Sequence, residues 1–335
     1  MMQLTEIRRL QQTVADSRVS PVADQVAAHW GCPAGTVKWW RSSASHVFVL
    51  SQDGGRRFLR FVPDAYRGPA GVAAVAQLMA RLSRGGSAVV RPVAAESGDL
   101  TVTVPTAIGV MHAMMVEAAP GDEVDIAGLT EPRARCWGRA LARLHREAAG
   151  LGTELGTGLE ESFVGLPGLA RLFAGDPALV EATLTLAGWM GRLPRDRSRW
   201  GVVHGDFELD NLAWVGHRPV AYDFDEAAVS WFAADIASAV RDLADPTGHA
   251  AGEHRARFDA FIAGYRSLRP LDDQDLGRLP LFAGLQAAAC LARITRALDY
   301  RGRDEPGWLA ELRGKLTDKA SAQRQLVINT AAQVG

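Results

Sequence analysis

The hydrophobic periodicity of this chain changes once, at Pro120-Gly121 in "VEAAPGDEV", and that change limits what it can fold into. Before it, "TVKWW", "HVFVLS" and "RRFLRFV" read as strands, with "RSSAS" as a small-residue turn and Asp53-Gly54 as a hairpin signal. "AGVAAVAQLMARLSRGG" then reads as a helix stopped by Gly85-Gly86, and two strand-like pieces follow around residues 89–94 and 109–116. "PVADQVAAHW" has helical spacing, with Val22, Val26 and Trp30 on one face. After the break the patterns are mostly helical. "PRARCWGRALARLHREA" keeps Trp137, Leu141 and Leu144 in register. "DPALVEATLTLAGWMGRL" opens with Asp176 as an N-cap and Pro177 at the first helical position. Short strands are expected at residues 202–203, 212–215 and 218–222, and helices from Phe232 onward. The expectation is an α+β, bilobal protein: a small β-rich lobe at 1–116, a hinge at 117–121 and a larger helical lobe at 122–335. A cleft between two such lobes is a natural ligand site.

Composition narrows the function classes. A chain of 335 residues that is 47% hydrophobic and 22% charged can build a real core. A formal net charge of −1 suggests neither nucleic acid nor an anionic membrane as an electrostatic partner. Cys32, Cys136 and Cys290 are far apart and odd in number, which suits a reduced, cytoplasmic setting better than a disulfide framework. The N-terminal "MMQLTEIRRLQQTVADSRVS" lacks the apolar stretch of a signal peptide. The longest apolar run, near residues 281–292, is interrupted by Gln286 and too short to span a membrane.

The chemistry is concentrated in "VVHGDFELDNLAW" and, seven residues on, "YDFDEAA". Asp206 and Asn211 are five residues apart, and Asp223 follows twelve residues later, after a strand. This is the spacing of a kinase catalytic loop and its metal-binding Asp. Phosphoryl transfer needs an acceptor hydroxyl held in line and relieved of its proton, and Mg²⁺ to absorb phosphate charge. Mg²⁺ prefers hard oxygen ligands, which a carboxylate and an amide carbonyl supply. Asp206 is then the base, and Asn211 and Asp223 are the metal ligands. The plainer alternative is a solvated loop, since Asp and Asn favour turns. The joint pattern at a strand–loop–strand junction favours the site. Glu208 and Asp210 read as spacers facing away from it.

The segments "ALARLHREA", "VVHGDFELDNLAW", "AYDFDEA", "AADIASAVRDL" and "FIAGYR" resemble the aminoglycoside phosphotransferase family, which includes choline-kinase-like and homoserine-kinase-like small-molecule kinases. The likeness runs from about residue 36 to 297, and its catalytic-loop and Asp-Phe-Asp segments are the specific ones. It implies a protein-kinase-like fold, ATP or GTP with Mg²⁺, and a hydroxylated small-molecule acceptor, in a monomer or homodimer. By the same resemblance His204 is the usually structural loop histidine. Asp235 braces the catalytic loop, unless it is a surface N-cap residue. Glu117 to Ala119 form the hinge that meets the purine, and Asp225 and Glu226 add to the metal or substrate side unless they are simply solvated.

The chain departs from this family in its phosphate-binding parts. Arg60 stands where the third strand should carry a Lys, and alternation puts Phe58 on the same face. The following helix offers no acid to pair with Arg60; Gln77 is its only polar candidate. The phosphate-covering loop "RSSASHV" has no glycine and would rely on Ser43 and Ser45, with Ser42. The interval from Asp223 to Asp235 has no room for a long activation segment, against a protein Ser/Thr kinase. A nucleotide-binding pseudokinase, suggested by the missing Lys and Glu, is the other alternative. The basic "LPRDRSRW" and the acids at 242, 245, 272, 273 and 275 leave both an aminoglycoside and a metabolite acceptor open.

Overall fold

The computed structural model describes residues 1–52, 55–149, 151, 158–163, 165–245, 247–300 and 305–334; the expected Asp53-Gly54 turn lies outside the described residues. Helices α1 (Leu4–Gln11) and α2 (Pro21–Ala27) precede an antiparallel sheet of β1 (Lys38–Ser42), β2 (His46–Gln52) and β3 (Gly55–Pro63). Helix α3 (Pro69–Arg84) crosses to β4 (Pro92–Val93), β5 (Thr101–Thr106) and β6 (Gly109–Glu117). The order is β1-β2-β3-β6, with β4 and β5 both paired to the far side of β6. Three strands therefore follow α3, where the sequence pattern predicts two. The additional one, "TVTVPT", contains Pro105, which an edge strand tolerates and a central strand does not.

Period-two alternation gives the sheet two apolar faces. Leu59, Phe61, Met111, Ala113 and Met115 bury against Val22 and Val26 of α2. Met114 and Val116 bury on the opposite face with α3 residues Val75 and Met79. Phe58 and Arg60 share the α3 side, as alternation requires, and line the cleft.

The sheet ends at Glu117, and the next element, β7 (Asp122–Glu123), already pairs with β9 (Leu212–Val215) of the second lobe. Gly121 makes that turn with φ +99°, and a Cβ there would sit 2.2 Å from the Trp214 carbonyl oxygen. The second lobe continues with α4 (Glu131–Ala148), α5 (Leu166–Leu172) and α6 (Pro177–Met190). Next come β8 (Trp200–Val203), β9, β10 (Arg218–Ala221), β11 (Ala228–Trp231) and α7 (Phe232–Ala239). Helices α8 (Arg255–Arg266), α9 (Asp273–Gly277), α10 (Leu279–Ala297) and α11 (Gly307–Ala331) complete it. Asp176 caps α6 by accepting from the Leu179 N–H, as its position before Pro177 predicts.

Strand β11 was not expected. Its four residues run directly into α7 and pair with β8 on one side and, at Val229, with residues 160–162 on the other, so no local signal marks them. Helices α4 and α8 touch along their backbones: a Cβ on Gly138 would lie 2.0 Å from Phe261 O, and one on Gly264 2.0 Å from Arg135 O. This tight pair supports the loop between β8 and β9, because the Trp137 indole N–H of α4 donates to the Phe207 carbonyl at 3.0 Å.

Candidate active site

The loop after β8 is held from beneath by one buried carboxylate. Asp235, in the first turn of α7 and 1% exposed, accepts from the backbone N–H of His204 at 2.9 Å and of Gly205 at 2.8 Å. It also pairs with His145 Nε2 of α4 at 2.8 Å, and the Nδ1 of that ring meets the Tyr265 hydroxyl at 2.9 Å. Asp235 is thus no surface N-cap residue. Burial disfavours its charge, but the His145 hydrogen bond and the two N–H groups outweigh that and hold its pKa below the usual carboxylate value. Burial likewise pushes the His145 pKa down, against the pull of Asp235. The pair therefore stands as carboxylate and neutral imidazole.

These shifts set an acid limit on stability. Asp235 has a depressed folded pKa, so its contribution is present above its unfolded pKa and lost as pH falls through the folded one. His145, and His46 with its pKa lowered to about 3 by burial, take up protons more readily when unfolded. All three effects lower stability on acidification, and the histidines act first, below their ordinary 6.5. The urea midpoint is expected to fall steadily from about pH 7 to about pH 5. A midpoint that rises over that range would show these histidines to be exposed or charged in the folded protein.

His204 is fully buried; its Nε2 meets the Tyr222 carbonyl at 3.1 Å, and its Nδ1 accepts the Asp206 N–H at 3.3 Å. Both contacts suit one neutral tautomer, which ties the Asp206 loop to the strand end before Asp223. Gly205 has φ +83°, and a Cβ there would lie 2.1 Å from the Glu226 carbonyl oxygen, so the loop passes where only glycine fits.

Asp206 and Asn211 are in direct contact. The Asn211 amide N–H₂ donates to the Asp206 carbonyl at 2.9 Å and to its Oδ2 at 3.0 Å, which leaves the amide oxygen for another partner. The other Asp206 oxygen, Oδ1, accepts from Arg241 at 2.7 Å, and the same guanidinium binds Glu208. Glu208 therefore does not face away: it is buried and shares a cation with Asp206. Nor does Asp210, which lines the interlobe cavity. Arg241 lies just past α7 in "AVRDL", and only the fold brings it to the loop. Arg293 of α10, paired with Glu226 at 3.0 Å, is also near enough to feel the Asp206 charge.

Asp223 adopts a left-handed backbone, φ 62°, which turns its side chain toward the sheet lobe. Its two oxygens accept from Arg60 at 2.7 Å and Arg41 at 2.8 Å. The Arg60 guanidinium also bonds Asp225 at 2.5 Å, and Arg67 contacts the same residue. The acid that α3 does not provide for Arg60 thus comes from the other lobe, twice; Gln77 is exposed. Burial opposes the Arg60 charge, but Asp223 and Asp225 overcome it and raise its pKa further. Asp225, buried as well, is pulled down to about 2 by Arg60 and Arg67.

An interlobe cavity of about 410 Å³ runs from Glu117, Ala118 and Ala119 at the end of β6 to Arg60, Asp223 and Asp225. Phe58, Val75, Met79, Val90 and Met114 line its apolar part. Just past β6 the Ala118 N–H is committed to Arg56 O, whereas the Ala119 N–H has no hydrogen-bond partner among the described residues. Ser43 and Ser45 do not line this cavity. The Ser43 carbonyl accepts from the Met2 N–H at 2.8 Å, and the Ser45 carbonyl accepts from the Ser43 N–H at 3.0 Å, with the Ser45 hydroxyl buried beside Asp225. Among the described residues no three His, Cys, Asp or Glu side chains form a metal cluster. The Asn211 amide and the Asp223 carboxylate carry hard oxygens of the kind Mg²⁺ takes, but both Asp223 oxygens here accept from arginines.

Comparison with known proteins agrees with this architecture. The model of the "Phosphotransferase enzyme family" matches residues 40–271. The chain is 23% identical over 302 residues to the amicoumacin kinase of Bacillus subtilis, covering 87% of this chain and 90% of that protein. It is 31% identical over 267 residues to the homoserine kinase of Gluconacetobacter diazotrophicus, covering 76% and 77%. Among solved structures, amicoumacin kinase hAmiN in complex with AMP-PNP, Ca²⁺ and Ami superposes with a TM-score of 0.77 at 16% identity, covering 95% of this chain and 96% of that one. The fold is that of the protein-kinase-like phosphotransferases. The chain belongs to the phosphotransferase enzyme family and is an enzyme that transfers a phosphoryl group to an alcohol.

Proposed function

We propose that the protein is an ATP- or GTP-dependent, Mg²⁺-requiring kinase of a small hydroxylated molecule. The observation that carries this reading is the interlobe cavity, with an uncommitted hinge N–H at one end and Arg60 beside Asp223 at the other. The apolar walls suit a purine, with the Glu117–Ala119 backbone reading its edge. Arg60 then holds phosphate oxygens as a planar fork. Asn211 and Asp223 would hold Mg²⁺, which when bound neutralises charge on the transferring phosphoryl group. Arg41, half exposed on β1, is the replaceable partner of Asp223; Arg60 is buried and stays. Asp206 takes the proton of the acceptor hydroxyl, oriented by Asn211 and Arg241. His204 and Asp235 position the loop.

The acceptor side carries Arg241 and Arg293 together with Asp206, Glu208 and Glu226. This near-balanced set suits a small amino alcohol or zwitterion better than a polycation. The pseudokinase alternative loses its motive, because Arg60 has two carboxylate partners. The direct test is Mg²⁺-dependent consumption of ATP or GTP with homoserine, choline, aminoglycosides, sugars and casein in parallel. Turnover with casein alone, or with nothing, overturns the proposal.

Arg60 is tested separately. Arg60→Ala is expected to weaken nucleotide binding by about 10- to 100-fold, the worth of a charge-assisted hydrogen-bond pair, with part regained in Arg60→Lys. Unchanged affinity by calorimetry would reduce Arg60 to a clasp between the lobes.

A further inference from the structure

A second cavity, of about 210 Å³, lies behind the catalytic loop, between α4, the β9–β10 hairpin and residues 87–89. It shares no residue with the interlobe cleft. Its floor is apolar, including Val89, Leu144 and the ring of Phe207, the residue after Asp206. Its rim holds Arg139, Arg143, His217 and Arg218. None of these four side chains has an ion pair or hydrogen bond among the described residues. The carboxylate close by, Glu147, is taken by the Ser87 hydroxyl.

Arg139 and Arg143 stand four residues apart on α4, on the same side as Cys136 and Ala140 and next to the buried Leu144. Like charges at that spacing repel, and neither guanidinium is ion-paired among the described residues. Three guanidiniums and an imidazole around an apolar floor form a receptor for an anion that carries an apolar body. Guanidinium binds carboxylate bidentately, which gives direction as well as attraction. The volume exceeds the ~150 Å³ that admits benzene in an apolar cavity, so one ring or a branched aliphatic chain fits the floor.

We propose that this cavity is a binding site for a small apolar carboxylate of the aromatic or branched-chain class, separate from the nucleotide and acceptor sites. The test is calorimetric titration of the full chain with phenylacetate, with its uncharged analogue phenylacetamide, and with inorganic phosphate. Phenylacetate is expected to bind at one site. Arg139→Ala combined with Arg143→Ala should weaken it more than about tenfold, the loss of one charge-assisted contact or more. Both residues are exposed, so this variant keeps its fold. Ala140→Phe, which fills the floor and leaves the guanidiniums in place, should abolish binding, whereas Arg60→Ala in the cleft should leave it unchanged. Phenylacetamide and phosphate, each lacking half of the recognition, should both bind more weakly. No binding of phenylacetate, equal binding of phenylacetamide or of phosphate, or an unaffected double-arginine variant would each overturn the site.

Discussion

Asp206→Asn is expected to lower the rate of acceptor phosphorylation by about 10²- to 10⁴-fold, the usual contribution of a positioned general base, while nucleotide affinity stays as in the parent protein. The carboxamide keeps the size of the side chain but cannot take a proton. The fold should not suffer. The Asp206 side chain is about a quarter exposed, and its loop is held by Asp235, His204 and Trp137 rather than by its own carboxylate. Comparing kcat with the nucleotide Kd separates the roles: a lost proton acceptor lowers kcat alone, whereas a disordered loop weakens both. An Asp206→Asn enzyme within a few-fold of parent kcat would remove Asp206 from the chemistry.

The largest effect on stability is expected at Asp235. Asp235→Ala removes the acceptor for the His204 N–H, the Gly205 N–H and His145 Nε2, all in a site sealed from water. The variant leaves three buried donors without an acceptor, each worth about 1–3 kcal/mol before the site relaxes, so a loss of about 3–5 kcal/mol is expected and the urea midpoint should fall accordingly. Asp235→Asn retains one acceptor oxygen and should lie between. Turnover of either variant should drop more than its stability alone predicts at temperatures where it remains folded, because the freed loop no longer presents Asp206. A loss below about 1 kcal/mol, the scale of an exposed pair, would mean that water or a neighbour replaces the carboxylate.

Where the sequence pattern and the fold diverge, the cause is long-range pairing. Strand β5 is fixed by pairing with β6, and β11 by pairing with β8 and, at Val229, with residues 160–162. The reading of Glu208 and Asp210 as spacers failed because it treated the loop as isolated. Arg241, thirty-three residues from Glu208, closes on it from the end of α7. The missing partner of Arg60 was sought on α3, by sequence proximity, yet it lies 163 and 165 residues away in Asp223 and Asp225. His145 sits in a helical stripe whose spacing marks it only as inward-facing. Its contact with Asp235, 90 residues on, is what links α4 to the loop after β8.

Local chemistry was legible from the chain alone: the β-to-helical break at Pro120-Gly121, the cap at Asp176, the shared face of Phe58 and Arg60, and the grouping of Asp206 with Asn211. Each depends on backbone geometry within a few residues, where period, turn and capping rules act directly. The electrostatic partners did not follow from the chain alone. Which arginine neutralises which carboxylate depends on how two lobes close over a cavity, and Coulomb attraction acts through space without regard to sequence separation.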